Sequence, residues 1–328
     1  MKLSILIAAY NVETFITKCI DSCYDEELVS FYEIVVVNDG STDETKKILD
    51  SFEYKFKNLK VINKFNEGLG AARNTGLDHA LGEYVWMIDG DDFLEPNVIS
   101  KILLNINEHS YDVFAFNYNI IKSDLVYNKY QNTSNRISKP ISGSNYYSLH
   151  YQNSYTWQYI FKKEIFDNFQ IRFMERINMQ DSEIFPRIMY HAKEVIYFDF
   201  TVYNYVQHEN SFTNTQNAQK RINYFESIIE VKKSLTNFAI EIQIKDPILY
   251  QGIQKKIISL HKVVFNHLVF FNYSNSTFKH VINLLKQHNF YPLKFNPVGK
   301  LKWVKIGFNF LPYVTLILIK ILKNIKKY

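Results

Sequence analysis

The sequence predicts an α/β domain built on a mostly parallel sheet, followed by a C-terminal helical region. Three observations favour this fold class. Short apolar runs alternate with amphipathic helical stretches through residues 3–88, and polar side chains follow several of these runs. After Asn214 the pattern becomes almost wholly helical.

Four strand-like runs, each rich in β-branched or aromatic residues, define the predicted sheet. They are Leu3–Ala9, Glu33–Asn38, Leu59–Asn63 and Tyr84–Ile88. Helices are expected between them at Val12–Tyr24, Asp43–Phe52 and Gly68–Leu81. Because parallel sheets bind ligands at the carboxyl ends of their strands, we expect the site near Tyr10, Asp39 and Asp89.

The second half of the chain is irregular before it becomes helical. Tyr- and Asn-rich connections around Asn117–Ser144 are typical of loops and hairpins. Helices are expected at Arg221–Phe238, Pro247–Phe271, Thr277–His288 and Trp303–Lys327. We therefore predict two domains, residues 1–213 with the α/β fold and residues 214–328 as a basic helical region.

Composition restricts the class of protein. A charged fraction of 22% and an aromatic fraction of 16% exclude a wholly disordered chain. Cys19 and Cys23 share one face of a predicted helix, and we interpret them as reduced, packed thiols, which suits a cytoplasmic protein. The N-terminal apolar run is too short for a signal-peptide core, so secretion is not expected.

The net charge of +5 is distributed unevenly along the chain. Residues 247–328 contain thirteen lysines and no arginine, aspartate or glutamate, so residues 1–246 are net acidic. A C-terminal region with only basic charges implies an anionic partner. This partner could be a lipid surface, a lipid-phosphate acceptor or nucleic acid.

The basic tail contains an apolar segment with lysines and aromatic residues at its ends. Residues 306–319 are fourteen uncharged residues that include Pro312, fewer than the about 20 that a spanning helix needs. A helix lying in the interface of an anionic membrane fits better, and a core helix is the alternative. Nucleic acid is not expected, because the tail lacks arginine and any recognised binding module. We expect peripheral association with the inner face of the cell membrane.

The strongest chemical signal is the turn at Ile88–Pro96, where Asp89, Asp91 and Asp92 follow a buried strand. Carboxylates so close together repel, and each resists ionising unless a cation compensates. Mg²⁺ or Mn²⁺ bridging a substrate diphosphate is the simplest compensation. The alternative is a solvated acidic turn before the next helix.

A further carboxylate, Asp39, ends the second predicted strand, where it can hold a ribose or a base edge. Dinucleotide binding would require glycines directly after the first strand, but that turn reads Ala8-Ala9-Tyr10-Asn11. Tyr10 instead offers a flat face on which a nucleobase can stack. A nucleotidyltransferase is also not favoured, because it predicts a Gly-rich, basic loop at the same place.

Residues 1–96 carry four motifs in a specific order and spacing. They are Ser4-Ile5-Leu6-Ile7-x-x-Tyr10-Asn11-x-Glu13, Asn38-Asp39-Gly40-Ser41-Thr42-Asp43, Gly68-x-x-x-Ala72-Arg73-Asn74-x-Gly76, and Gly82-Glu83-Tyr84 with Asp89-x-Asp91-Asp92. This set resembles the family 2 glycosyltransferases, inverting enzymes of the Rossmann-like GT-A fold. The resemblance is looser to about residue 213 and absent beyond it.

The resemblance implies a metal-dependent transfer from a UDP-sugar to a hydroxyl of a glycan or lipid-diphosphate-linked glycan, with Mn²⁺ or Mg²⁺ as cofactor. Residues 1–213 would be the nucleotide-sugar-binding and catalytic domain. Tyr10 would stack on uracil, Asp39 would accept its ring N–H, and Arg73 would reach the base or diphosphate. The alternatives are a core role for Tyr10 and a surface ion pair for Arg73.

The metal and donor contacts are implied in the same way. Asp91 would be the principal metal ligand, and Asp89 would contact the metal or the ribose. The other donor-site residues are Ala8, where many relatives have proline, Glu13, Gly90 and His208. His208 lies in Tyr203–Thr213, which resembles the segment that closes over the diphosphate; a lone surface histidine is the alternative.

A catalytic base is also needed, because the acceptor hydroxyl loses its proton as it attacks the anomeric carbon. The segment Met179–Arg187 resembles the family's Glu-Asp motif at a helix start, with Asp181 in the base position and Gln180 in place of the usual Glu. The alternative for Asp181 is a helix N-cap, and Glu183 is the second candidate base.

The sequence motifs say least about which residues bind the acceptor. Trp157 resembles the tryptophan of a strand that precedes the family's acceptor helix, and an aromatic face suits a sugar ring; a buried core role is the alternative. Asp92 and Glu183 are the other acceptor-side candidates. A different function that remains open is a catalytically silent nucleotide-sugar-binding protein docked at the membrane.

Overall fold

Strand β1, Leu3–Ala9, lies between two parallel neighbours, β2 (Tyr32–Asp39) and β4 (Tyr84–Asp89). Strand β3 (Leu59–Lys64) extends the parallel sheet beyond β2. The computed structural model describes residues 1–122, 125–130, 139–208, 217–271 and 273–325. All four predicted strands are confirmed, β1 with the predicted bounds.

The remaining strands of the described chain join the same sheet in mixed orientation. They are β5 (Phe93–Leu94), β6 (Val113–Lys122), β7 (Leu125–Tyr130), β8 (Tyr159–Lys162) and β9 (Val195–Gln207). The strand order is β3-β2-β1-β4-β8-β6-β9-β5, with β7 paired to β6. Strand β8 is antiparallel to β4, so the sheet changes direction after its four parallel strands. The predicted hairpin within residues 117–144 is β6–β7, and residues 123–124 and 131–138 lie outside the described residues.

Seven helices among the described residues accompany these strands. They are α1 (Ile16–Cys23), α2 (Thr45–Lys55), α3 (Leu69–His79), α4 (Val98–Glu108), α5 (Gly143–His150), α6 (Glu164–Asn168) and α7 (Gln180–His191). The parallel strands are buried along nearly their whole length in β1, β2 and β4, as strands covered on both faces are. Cys19 and Cys23 are buried free thiols on α1, as predicted.

Helix α1 begins four residues later than the sequence predicts. Asn11 has a left-handed φ of 51°, and the Val12 N–H donates to Thr45 Oγ1 over 2.9 Å. The segment after β1 is therefore a turn held by the start of α2, and the helix can begin only beyond it.

The chain divides into two compact units, Met1–Arg176 with Gln180–Ser211, and Ile177–Met179 with Phe212–Tyr328. The described part of the second unit contains α8 (Ala218–Ile242), α9 (Pro247–Phe270), α10 (Asn275–Gln287), α11 (Leu301–Phe310) and α12 (Pro312–Ile325). Asn217, Asp246 and Ser274 cap α8, α9 and α10 through their side chains.

The single helix predicted over Trp303–Lys327 is wrong. Leu311 has φ −133° and ψ 64°, which separates α11 from α12, and Pro312 begins the new helix. Proline lacks the N–H that a continuous helix would need at this point and its ring clashes with the preceding turn. Residues 326–328 lie outside the described residues. Among the described residues, no helix combines the length and the apolar character needed to cross a membrane.

Candidate active site

The carboxyl ends of β1, β2 and β4 place the predicted site at one edge of the sheet. In the strand register, Ala8 pairs with Val37 on one side and with Asp89 on the other. Asp39 ends β2 two residues beyond Val37. The two predicted donor-site carboxylates, Asp39 and Asp89, therefore flank the end of β1.

The turn after β1 is fixed by the loop before α2. Asn11 Oδ1 accepts the Thr42 N–H at 2.8 Å, and a Glu13 carboxylate oxygen accepts the Glu44 N–H at 2.8 Å. Glu13 therefore supports the start of α2 in this structure, whereas the sequence placed it in the donor site. Tyr10, on the same turn, is 49% exposed, so the alternative of a core aromatic does not hold.

Asp39 is buried and organises the loop that leads into α3. Its carboxylate accepts backbone N–H groups from Glu67 at 3.0 Å and Gly68 at 2.8 Å, and it pairs with Lys64 Nζ at 3.2 Å. The predicted bond to a nucleobase N–H would be added to these contacts. Gly68 has φ 92°, a conformation that favours glycine at this turn.

The three carboxylates of the acidic turn point to three different partners. Asp89 pairs with Arg73, Asp91 contacts His208, and Asp92 accepts from Tyr203. Gly90 lets the turn pack on β1, because its N–H donates to Ala8 O over 3.0 Å and a Cβ would lie 2.9 Å from that oxygen. Each carboxylate therefore has a protein partner, which the sequence analysis did not foresee.

Asp92 is buried among structural partners. Its two carboxylate oxygens accept from the Tyr203 hydroxyl at 2.6 Å and the Val206 N–H at 2.7 Å. The Tyr203 hydroxyl in turn accepts the Asp89 N–H at 3.2 Å. Burial, together with the charges of Asp91 and Asp89, raises the pKa of Asp92 well above its ordinary value. Asp92 therefore joins β9 to the acidic turn, and its burial does not agree with the predicted acceptor contact.

Asp91 is the carboxylate of this turn that combines exposure with a metal-compatible neighbour. Its side chain is 32% exposed, and its Oδ2 lies 3.0 Å from His208 Nε2. Burial and the nearby charge of Asp89 raise the pKa of Asp91, and the contact with His208 opposes this shift. The His208 ring also stacks on Phe15 with centroids 4.6 Å apart. His208 is therefore held against the acidic turn and is not a lone surface histidine.

Arg73 connects two acids that are far apart in sequence. Its guanidinium is buried, with one terminal nitrogen 2.7 Å from Asp89 Oδ1 and the other bonded to Asp181 Oδ1. Its guanidinium carbon lies 5.4 Å from the centroid of the Phe173 ring. The surface ion pair considered for Arg73 is wrong, because the pair is buried. The guanidinium instead fixes the separation of Asp89 and Asp181.

Asp181 is the second residue of α7, so it is not the N-cap of that helix. Its carboxylate accepts from Arg73 and from Thr156 Oγ1, the latter at 3.1 Å. Burial raises the pKa of Asp181, while Arg73 and the Thr156 hydrogen bond act in the opposite direction. A carboxylate with a raised pKa is a stronger base than an ordinary aspartate.

Two other candidates occupy buried positions. Glu183 pairs with Arg187 over 2.6 Å and is 2% exposed, so it is poorly placed as an alternative base. Trp157 is 3% exposed, and its ring stacks on Tyr203 with centroids 4.6 Å apart. This burial does not agree with the expected contact between Trp157 and an acceptor sugar. It agrees with the alternative, a core role for Trp157.

Thr156, Tyr155 and Tyr203 contact the predicted residues, and the sequence analysis did not single them out. Thr156 bonds to Asp181, Tyr155 stacks on Trp157, and Tyr203 contacts both Trp157 and Asp92. The contacts of Thr156 and Tyr203 join separate segments, so no local signal could have found them. Residues 209–213 of the predicted closing segment lie outside the described residues. Within the described part of the chain, no three His, Cys, Asp or Glu side chains form a group that could hold a metal ion by themselves.

Comparison with known proteins agrees with this geometry. The profile described as "Glycosyl transferase family 2" matches residues 4–176, slightly more than half of the chain and the part that contains all four motifs. The chain belongs to glycosyl transferase family 2. The predicted family is confirmed.

One similar member of family 2 is the uncharacterized glycosyltransferase EpsJ of Bacillus subtilis (strain 168). It is 31% identical over 215 residues, which cover 64% of this chain and 62% of EpsJ. The chain therefore matches less than two thirds of that relative.

Solved structures with the same fold confirm the predicted GT-A class. The crystal structure of S. aureus TarS 1–349 in complex with UDP-GlcNAc has a TM-score of 0.64 at 23% identity, covering 88% of this chain and 81% of that one. The mannosyltransferase PcManGT from Pyrobaculum calidifontis, in complex with GDP-Man and Mn²⁺, has a TM-score of 0.51 at 14% identity, covering 98% and 86%.

Proposed function

We propose that this chain is an inverting glycosyltransferase that moves a sugar from a UDP-sugar to a hydroxyl of a glycan or lipid-linked glycan. One observation carries the proposal. The buried guanidinium of Arg73 joins Asp89, at the end of β4, to Asp181, at the start of α7. This contact supports Asp181 as a base that acts beside the acidic turn of a family 2 domain.

The donor side is supported by exposure and position. Tyr10 presents a half-exposed ring at the end of β1, beside β2 and its terminal Asp39. An aromatic face of this kind suits a nucleobase. The TarS structure contains UDP-GlcNAc and the PcManGT structure contains GDP-Man, so the choice of base has to be tested directly.

Asp91, the predicted principal metal ligand, and His208 are the residues that would hold Mn²⁺ or Mg²⁺. Asp89, the second predicted ligand, bonds to Arg73 through its Oδ1 atom. Carboxylate oxygens such as those of Asp91 are the ligands that Mg²⁺ and Mn²⁺ prefer, and His208 Nε2 lies 3.0 Å from Asp91 Oδ2. Two protein ligands would leave positions for substrate phosphate oxygens. When bound, such an ion neutralises charge on a departing diphosphate.

Asp181 would serve as the base. The acceptor oxygen attacks the anomeric carbon, the bond from that carbon to the phosphate oxygen breaks, and the hydroxyl proton passes to the Asp181 carboxylate. UDP leaves with the bonding electron pair. Arg73 and Thr156 orient the carboxylate, while the raised pKa of Asp181 favours its capture of the proton.

The test is a transfer assay on the full chain. UDP-, GDP- and dTDP-sugars are combined with Mn²⁺ or Mg²⁺ and with a panel of alkyl glycosides and decyl-diphosphate-linked mono- and disaccharides. We expect UDP-sugar turnover that requires the metal. Asp181→Asn should lower kcat by about 10²- to 10⁴-fold while the affinity for UDP changes by less than about twofold.

The matched control is Asp50→Asn, which alters an exposed ion pair on α2 and should leave kcat unchanged. Full activity of Asp181→Asn would contradict the assigned base. A chain that binds UDP-sugars but neither hydrolyses nor transfers them would instead be a nucleotide-sugar-binding protein.

We also propose that the second unit binds an anionic membrane surface, at the inner leaflet of the cell membrane. The apolar outer face of α11 and α12 consists of Trp303, Phe310, Leu311, Val314, Ile317 and Leu318, all exposed. The inner face packs through Phe308, which contacts Phe265 and Phe278. Exposed Lys300 and Lys302 lie at the start of α11, next to Trp303 in the chain, and lysines beside exposed apolar residues are typical of helices in a membrane interface.

A further inference from the structure

A stack of parallel aromatic rings lies beside the candidate base. Tyr155 stacks on Trp157 with centroids 5.1 Å apart and planes inclined by 14°, and Trp157 stacks on Tyr203 at 4.6 Å and 8°. Tyr118 meets the Trp157 ring edge-on at 4.7 Å. The ring of Tyr155 is therefore held in one orientation by the rings behind it.

Tyr155 is the member of this stack that is open to solvent. Its side chain is 45% exposed, whereas Trp157, Tyr203 and Tyr118 are all buried. A half-exposed ring that stacks on a buried ring can offer part of its aromatic surface to a ligand. Such a surface is already ordered, so a ligand that stacks on it does not have to immobilise the side chain.

The backbone places this ring next to the proposed chemistry. The residue after Tyr155 is Thr156, whose hydroxyl donates to Asp181 over 3.1 Å. Tyr205 also stacks on Trp157, at 5.7 Å, and burial with the charges of Asp92, Asp91 and Tyr155 raises its pKa to about 12. Tyr155 therefore adjoins the residue that contacts the candidate base, and it shares the Trp157 stack with a ring that lies near the acidic turn.

Sugar rings have an apolar face of C–H groups that stacks favourably on the electron-rich face of an aromatic ring. A carbohydrate bound there would present hydroxyl groups towards Asp181. We propose that Tyr155 is the stacking platform of an acceptor-sugar subsite, supported from behind by Trp157. This inference rests on the proposed function, since it deepens the acceptor side of the same site.

The experiment measures acceptor and donor parameters separately. The acceptor is the alkyl or decyl-diphosphate-linked glycoside that the wild-type chain glycosylates fastest. Tyr155→Leu keeps an apolar contact with Trp157 but removes the flat ring, and we expect it to raise the acceptor KM about tenfold. Tyr155→Phe keeps the ring and should stay within about twofold of wild type. For both variants, UDP affinity measured by calorimetry should change by less than about twofold.

Tyr54→Leu is the matched control, because Tyr54 is a highly exposed tyrosine on α2 and should leave the acceptor KM unchanged. Wild-type transfer with an unchanged acceptor KM in Tyr155→Leu would contradict the subsite while leaving the proposed function intact. A loss of acceptor affinity in Tyr155→Phe equal to that in Tyr155→Leu would also contradict it, because the hydroxyl and not the ring would then be recognised. No transfer by the wild-type chain to any acceptor in the panel would overturn both proposals.

Discussion

Arg73 illustrates how one side chain determines the electrostatics of the site. The planar guanidinium can bond to two carboxylates at once, and in this chain it bonds to Asp89 and Asp181. A buried charge that loses its partner generally costs about 3–5 kcal/mol. The arrangement therefore has a structural role in addition to any contact with substrate, which explains why Arg73 lies inside the domain.

Thr156 provides a test of the proposal that Asp181 acts as a base in its ionised form. A base must be ionised, so the rate should fall as the pH decreases through the pKa of Asp181, which burial raises. The hydrogen bond from Thr156 favours the ionised form and lowers that pKa. Thr156→Val removes the bond with little change in volume, and we expect the acid limb of the kcat profile to move to higher pH.

Thr156→Ser keeps the hydroxyl and is the control for this prediction. Its acid limb should remain at the wild-type position in the same series of buffers. An acid limb that moves to lower pH in Thr156→Val, or that does not move, would contradict the role of Asp181 as the ionising group.

Helix α3 is the element that carries Arg73 to the site, and glycine allows its close approach. A Cβ on Gly70 would overlap the carbonyl oxygen of Met174, which is backbone and cannot rotate away. A Cβ on Gly76 would meet the Leu6 side chain at 3.4 Å, an ordinary contact. The two glycines lie on one helix but in different surroundings.

We expect Gly70→Ala to lower the free energy of unfolding by roughly 1–3 kcal/mol, because the helix or residue 174 must shift. The shift would also move Arg73 and reduce kcat. Gly76→Ala should be neutral or stabilising by up to about 1 kcal/mol, because alanine favours the helix interior. Urea unfolding followed by near-UV circular dichroism checks both, and equal effects of the two substitutions would be evidence against this packing argument.

The distribution of charge and apolar surface concerns the whole chain. Acidic residues are confined to residues 1–246, while the helices of the second unit carry lysines together with the exposed apolar face of α11 and α12. Large exposed apolar patches on proteins generally mark interaction surfaces. Lysines beside such a patch favour an anionic membrane.

We expect the full chain to co-sediment with vesicles that contain phosphatidylglycerol and much less with pure phosphatidylcholine vesicles. Binding should weaken between about 0.1 M and about 1 M salt, because surface charges are then screened. The double substitution Phe310→Ser/Leu318→Ser should lower the affinity about tenfold or more, since it removes exposed apolar groups from both helices. Ile244→Ser changes an exposed residue outside these helices and is the control. Equal binding by the double variant would contradict the proposed surface.

The amino-acid sequence was sufficient to predict the parallel strands, the family and the edge of the sheet at which the candidate site lies. Apolar runs that are buried on both faces leave a pattern that is visible without long-range contacts, as in Leu3–Ala9. The motifs around Tyr10, Asp39 and Asp89 follow strand ends, so their common location was predictable from the chain order alone.

The contacts of the individual side chains at the candidate site became known only from the folded chain. The short spacing of Asp89, Asp91 and Asp92 in the sequence suggested that all three share one cation. In the fold, Asp89 contacts α3, Asp92 contacts β9, and Asp91 contacts the segment after β9. Likewise, Trp157 is buried and stacks on Tyr203, a contact that depends on how two separate segments meet. Such pairings join residues that are distant in the chain, so no local pattern records them.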